Sequence, residues 1–219
     1  MHKARNFPTI EFLFLILFIS LLWSCNSPYT SKKAGYFKID FPKKEYVQFN
    51  NPDFPYSFEY PDYAKIARDS TYFDIAAQNP YWINIVFPTF NGKIFISYKE
   101  IGGTSVYKVK TPSGYKDSIG LNSLQNMVND SYNLTYKNDI KAYSIEDSLL
   151  YTPNDISGIF FHVAGSVATA NQFFLTNSVH NFLRGALYFD ATPNEDSLRP
   201  INAFLKEDML HLINTLKWK

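Results

Sequence analysis

Of 219 residues only one, Cys25, is a cysteine. No disulfide can cross-link the chain internally, and no cysteine cluster can hold a metal. Whatever it folds into must be held by apolar packing and backbone hydrogen bonds, which demands a core of reasonable size. The position of Cys25 is as restrictive as its solitude, because it divides an apolar stretch from a polar one.

Upstream, His2, Lys3 and Arg5 precede the eleven-residue run "FLFLILFISLL", Phe12 to Leu22. As a helix this run would rise roughly 16 Å, against a bilayer core about 30 Å thick. It is too short to span and has the size of a secretory signal core. Glu11 sets its upstream limit, since a carboxylate in hydrocarbon is costly. The end reads Leu22-Trp23-Ser24-Cys25, which resembles a bacterial lipobox: aliphatic at −3, small at −1, then the cysteine. Residues 1–24 are therefore predicted to be a lipoprotein signal peptide. Cys25 is the predicted lipid attachment site and hence the contact with the membrane. Two or three acyl chains anchor stably where one is marginal. An uncleaved anchor and an incidental cysteine leave unexplained why the sole thiol sits at this junction.

Residues 25–34, small and polar after the cysteine, read as a lipidated tether, and residues 35–219 as one domain. Removing Lys3, Arg5 and Glu11 from 21 basic and 20 acidic residues leaves 19 of each. A neutral chain with no block of like charge lacks the clustered positive surface that nucleic acid requires.

Short apolar runs alternate with turn residues along the domain. "GYFKIDFP", "YVQF" and "PYSFEYP" fit strands, with Pro42, Pro52, Pro55 and Pro61 at their ends. "RDSTYFDIAAQNP" reads as loop or helical turn. "YWINIVFP" and "KIFISYK" form a predicted hairpin across Asn91-Gly92. Ile119, Leu121, Leu124, Met127, Val128 and Tyr132 recur at helical spacing, predicting an amphipathic helix over residues 118–137. Four further strand-like runs, from "AYSIEDSLLYT" to "NFLRGALYFDA", predict an antiparallel meander. Leu198, Ile201, Leu205, Met209, Leu212 and Leu216 make one stripe, predicting a C-terminal helix with Ser197 as N-cap and Pro200 in its first turn. The expected fold class is α+β: a single domain, mainly antiparallel sheet, with an amphipathic helix in mid-chain and a C-terminal helix packed on one face.

Catalytic patterns are missing. His162, His180 and His211 include no i, i+4 pair flanking a glutamate. "AGSVATA" around Ser166 lacks the second glycine of a nucleophile elbow. "IGGTS", Ile101 to Ser105, is a lone diglycine turn. Glu195/Asp196 and Glu207/Asp208 read as solvated charge at the start and on the exposed side of the last helix. The expectation is a protein with no enzyme activity, no cofactor and no metal.

"GYFKIDFP", "PYSFEYPDYA", "WINIVFPTFNGKIFISYK" and "RGALYFDATPNEDSLRPI", the last running on to "INTLKWK", occur in this order behind the lipobox. Together they resemble the gliding motility lipoprotein GldD family of the Bacteroidota. The resemblance implies a component of gliding and of the linked type IX secretion pathway, partnered by other envelope proteins and carrying no reaction. Some members of the family carry a cysteine just before the "PYSF"-like stretch and another near the "WINI"-like one; this chain has Phe54 and Tyr81 thereabouts. Aromatic packing is expected to hold those strands instead. Arg184, Asn194 in the "ATPNEDS" loop, and Trp82 are candidate partner contacts, since tyrosine and arginine favour interface cores. The alternative is a periplasmic binding module for glycan or a small ligand, with Trp82 or Tyr81 exposed in a concave site. No acidic cluster of the kind that resembles a surface-export signal in this phylum follows Cys25, so the domain is expected to face the periplasm, lipid-anchored in the cell envelope.

Overall fold

Strands dominate because most apolar runs are four to nine residues long, alternate, and stop at proline, glycine or asparagine. The computed structural model describes residues 39–68, 71–72, 75–76, 79–137 and 141–219. The predicted signal peptide, Cys25 and the predicted tether lie outside them. Residues 39–219 form one unit.

The chain opens with Tyr46–Phe49 (β1) and Tyr56–Pro61 (β2), paired antiparallel, followed by Lys65–Arg68 (β3). Thr71–Tyr72 (β4) and Ile75–Ala76 (β5) form a short antiparallel pair in the segment expected to be loop or helical turn. Ile83–Phe87 (β6) and Gly92–Glu100 (β7) are the hairpin marked by Asn91-Gly92. Asn91 adopts φ 46° after a 3₁₀ turn at Pro88–Phe90, a left-handed conformation that asparagine tolerates.

Next come Thr104–Thr111 (β8) and Gly114–Leu121 (β9), then the helix Leu124–Tyr136 (α1). The mid-chain helix therefore starts later than expected, and residues 118–121 are strand. Gly120 would have weakened a helix interior, while Ser123 supplies an N-cap whose side chain accepts from the Asn126 amide at 3.2 Å. Ile119 and Leu121 thus belong to a hairpin that turns at Gly114, φ 121°.

Ala142–Tyr151 (β10), Ser157–Gly165 (β11), Asn171–Thr176 (β12) and Asn181–Phe189 (β13) are the expected meander. Glu195–Thr215 (α2) is the expected C-terminal helix, and Lys217–Trp218 (β14) adds a strand after it. The cap is Asn194, whose side chain accepts from the Ser197 amide at 3.0 Å; Ser197 is already helical. Pro200 therefore lies inside the helix, where its missing N–H deprives the Asp196 carbonyl of its usual partner.

A seven-stranded antiparallel sheet has the order β10-β11-β12-β13-β7-β6-β3, and a smaller one the order β1-β2-β14. Successive side chains of a strand point to opposite faces, so Phe160 and Phe161 enter different cores. On one face Phe160, Phe173, Leu175, Leu183, Leu187, Ile83, Ile85, Ile94 and Ile96 meet Tyr56 and Phe58 of β2 and Leu205, Met209, Leu212 and Ile213 of α2. On the other, Phe161, Phe174 and Phe182 pack with Met127 of α1. Each phenylalanine so enclosed contributes roughly 2 to 3 kcal/mol of apolar burial. Gly158 shows how tightly β11 and β12 approach: a Cβ there would lie 1.9 Å from the Phe174 carbonyl oxygen. Phe54 and Tyr81 stand ring edge to ring face, centroids 5.8 Å apart, the aromatic contact expected where a disulfide is missing.

Candidate functional site

Three features stand out: a buried carboxylate under the first strand, a cleft at the start of α2, and an exposed hairpin.

The stripe of α2 fixes the first. At 100° per residue, Asp208 falls between Ile201 and Phe204 on the buried side, while Glu207 points outward. Asp208 is 1 % exposed, which corrects the reading of Glu207/Asp208 as a solvated pair. Its carboxylate accepts from Lys44 Nζ at 2.8 Å, the Tyr46 hydroxyl at 2.9 Å and the Tyr63 hydroxyl at 2.5 Å. Burial first, and the hydrogen bond to Asp208 second, hold both tyrosine protons well above the ordinary phenol range. Lys44 also donates to the Phe204 carbonyl and lies over the Phe204 ring. Beside this group His211 Nε2 pairs with Glu59 Oε2 at 2.7 Å and stacks on Tyr46. Every oxygen of Asp208 is engaged, so the cluster pins β1 and the segment before it to α2. It is a structural hub.

The expected contact residues separate. Trp82 is 6 % exposed and donates its Nε1–H to the Tyr98 carbonyl at 2.9 Å. Tyr98 itself donates to Asn181 Oδ1 at 2.7 Å, and burial pushes its phenol up to about 12. Arg184 is 8 % exposed beneath α1, where its guanidinium bonds Gln172 Oε1. Asp130 and Lys99 are neighbours on that side; burial raises the carboxyl and lowers the ammonium. Both Trp82 and Arg184 are interior residues, and neither presents a surface to a partner or ligand. Strand alternation puts Arg184 inward on the face that α1 covers, and Trp82, just before β6, packs edge to face on Phe95. Asn194 is exposed, but its side chain caps α2.

Asn194 borders the second feature, a cleft of about 310 Å³ between the β10–β11 end of the sheet and the first turns of α2. His162, Asn171 and Asn202 are linked across it: His162 Nδ1 meets Asn171 Oδ1 at 3.1 Å, and Asn171 Nδ2 donates to Asn202 Oδ1 at 3.4 Å.

The third feature is the β8–β9 hairpin, which pairs with no other described strand. Its root is fixed by Asn122, buried, whose Nδ2 donates to the Glu100 carbonyl at 3.1 Å and whose Oδ1 accepts from Tyr107 at 2.8 Å. Register places Val106 opposite Ile119 and Thr104 opposite Leu121, so these side chains share one face. Ile119 is 76 % and Leu121 59 % exposed. Two-stranded ribbons are marginal in water by themselves, and clustered exposed apolar side chains mark contact surfaces. On the far edge of the large sheet β10 adds exposed Tyr143, Leu149 and Tyr151.

Among the described residues no group of three or more His, Cys, Asp or Glu side chains could hold a metal ion, and no helix is long and apolar enough to cross a membrane. Fold and surface together define an α+β domain, mainly antiparallel sheet, that offers apolar contact surface around a firmly clasped interior. The chain belongs to the gliding motility lipoprotein GldD family, whose model matches residues 26–218, beginning directly after Cys25. No curated protein matches it. Among solved structures it is similar to the solution structure of cyanobacterial PsbP (CyanoP) from Synechocystis sp. PCC 6803, at 9% identity and a TM-score of 0.43, over 88% of this chain and 99% of that one. A likeness of that degree carries no functional argument.

Proposed function

We propose that this protein is a non-catalytic docking component of the gliding motility and type IX secretion apparatus. It is held to a membrane by acyl chains, palmitate among them, on Cys25 and displays its domain in the periplasm. The β8–β9 hairpin carries this reading: a rooted ribbon whose apolar face remains exposed in the isolated chain suits burial against another envelope protein. The family's gliding role and membrane association agree with it. The contact surface is accordingly assigned to Val106, Ile119 and Leu121 in place of Trp82 and Arg184.

Deletion of the gene in its native host is expected to abolish colony spreading and type IX cargo export together. Cross-linking of a tagged wild-type copy should recover other envelope proteins. Spreading and export that survive deletion unchanged would overturn this function.

A further inference from the structure

The cleft at the start of α2 has a composition that docking does not require. Its floor is the linked trio His162, Asn171 and Asn202, with Asn171 almost wholly buried. Its walls are largely apolar, including Val167, Leu198 and Ala203. At the rim, the exposed ring of Tyr143 is held by a 2.7 Å hydrogen bond from its hydroxyl to Glu195 Oε1. Two cations line the cleft as well. Arg199 is spoken for by Asp196 at 2.7 Å. Lys206 pairs with no carboxylate among the described residues, and its Nζ lies 5.3 Å from the centre of the Phe160 ring.

Each part selects against some ligands. Three polar side chains on the floor would be left poorly matched by a purely apolar molecule, at an appreciable desolvation cost. A bare anion would use Lys206 but neither the apolar wall nor the amides. A volume of about 310 Å³ is at the small end of ligand sites, which begin near roughly 300 Å³. A molecule with one flat C–H face, several hydroxyls and a single carboxylate uses all of it. The C–H face lies on Tyr143 and the aliphatic wall, the hydroxyls meet Asn202 and the His162 ring, which Asn171 holds in place from beneath, and the carboxylate meets Lys206. We infer that this cleft is a binding site for an acidic sugar unit, a uronic acid or a sugar of the same chemistry.

The test uses the purified lipoprotein in detergent, titrated calorimetrically with a short oligogalacturonate, and with glucose and acetate as controls. Saturable binding of oligogalacturonate, with neither control bound, is the expected result. Lys206→Gln should weaken it about tenfold, the worth of one charge-assisted hydrogen bond, whereas Lys206→Arg should retain most of it. Lys206 lies at the rim of the cleft, so the glutamine variant keeps the fold, and an unchanged thermal transition verifies this. No saturable binding, glucose bound as well as oligogalacturonate, or binding indifferent to Lys206→Gln would each overturn the site.

Discussion

Replacing Asp208 with alanine is expected to lower stability by about 3 kcal/mol, because it strips a buried acceptor from three donors at once. For a domain of this size that is a fall of roughly 6 to 12 °C in the thermal midpoint, read by circular dichroism. The tyrosine hydroxyls of Tyr46 and Tyr63 lose their shared acceptor. Lys44 loses its shortest ion pair but keeps the Phe204 carbonyl at 2.7 Å and Glu207 at 3.3 Å, which limits the loss. Asp208→Asn retains one acceptor oxygen and should cost clearly less than the alanine change. The same cluster gives stability a pH dependence. Both tyrosines have folded-state pKa values raised above the unfolded one, so their contribution is complete below about pH 10 and declines as pH rises beyond it. A midpoint for Asp208→Ala within about 2 °C of wild type would show that the clasp is not what holds β1 to the last helix.

The second large effect concerns Cys25. With its thiol removed in Cys25→Ala, no acyl chain can be attached, and the chain is expected to leave the membrane fraction, to incorporate no labelled palmitate and to fail to restore spreading. The described unit begins at Ile39, so its thermal transition should be unchanged. That separates loss of anchoring from loss of fold. The magnitude follows from lipid partition: each buried methylene contributes about 0.8 kcal/mol, and two or three chains hold where one is marginal. Retention in the membrane fraction together with normal spreading would mean that the junction at Leu22 to Cys25 is not an acylation site.

How much of this was legible in advance depends on the length of the signal. The meander from Ala142 to Phe189 and the hairpin at Asn91-Gly92 were readable because each run is long, alternating and bounded by turn residues. The last helix was readable because its stripe persists over five turns. Its start is masked because Pro200 suits a first turn, whereas the actual cap, Asn194, lies before it and leaves the proline inside the helix. The two-residue strand Lys217–Trp218 has no period to detect.

Ile119 and Leu121 fit helical spacing with Leu124 and Met127, yet Gly120 and the Ser123 cap put the boundary between them. That boundary converts two supposed core residues into the most exposed aliphatic pair of the hairpin. Burial of polar side chains was legible only through geometry. The helical wheel already placed Asp208 on the buried side, but its partners Lys44, Tyr46 and Tyr63 lie some 145 to 164 residues away, and no local pattern connects them. Trp82 and Arg184 were misjudged for a related reason: composition says that such residues favour interfaces, whereas strand register decides which face they occupy.

The central claim is that the domain works through an exposed contact surface rather than by turnover. It is tested most directly by restoring a deletion strain with a chain carrying Ile119→Glu and Leu121→Glu on the hairpin. Both side chains are exposed, so fold and membrane location should match wild type while colony spreading fails and the cross-linked envelope proteins disappear. Full spreading by that variant, with its cross-links intact, would contradict the account.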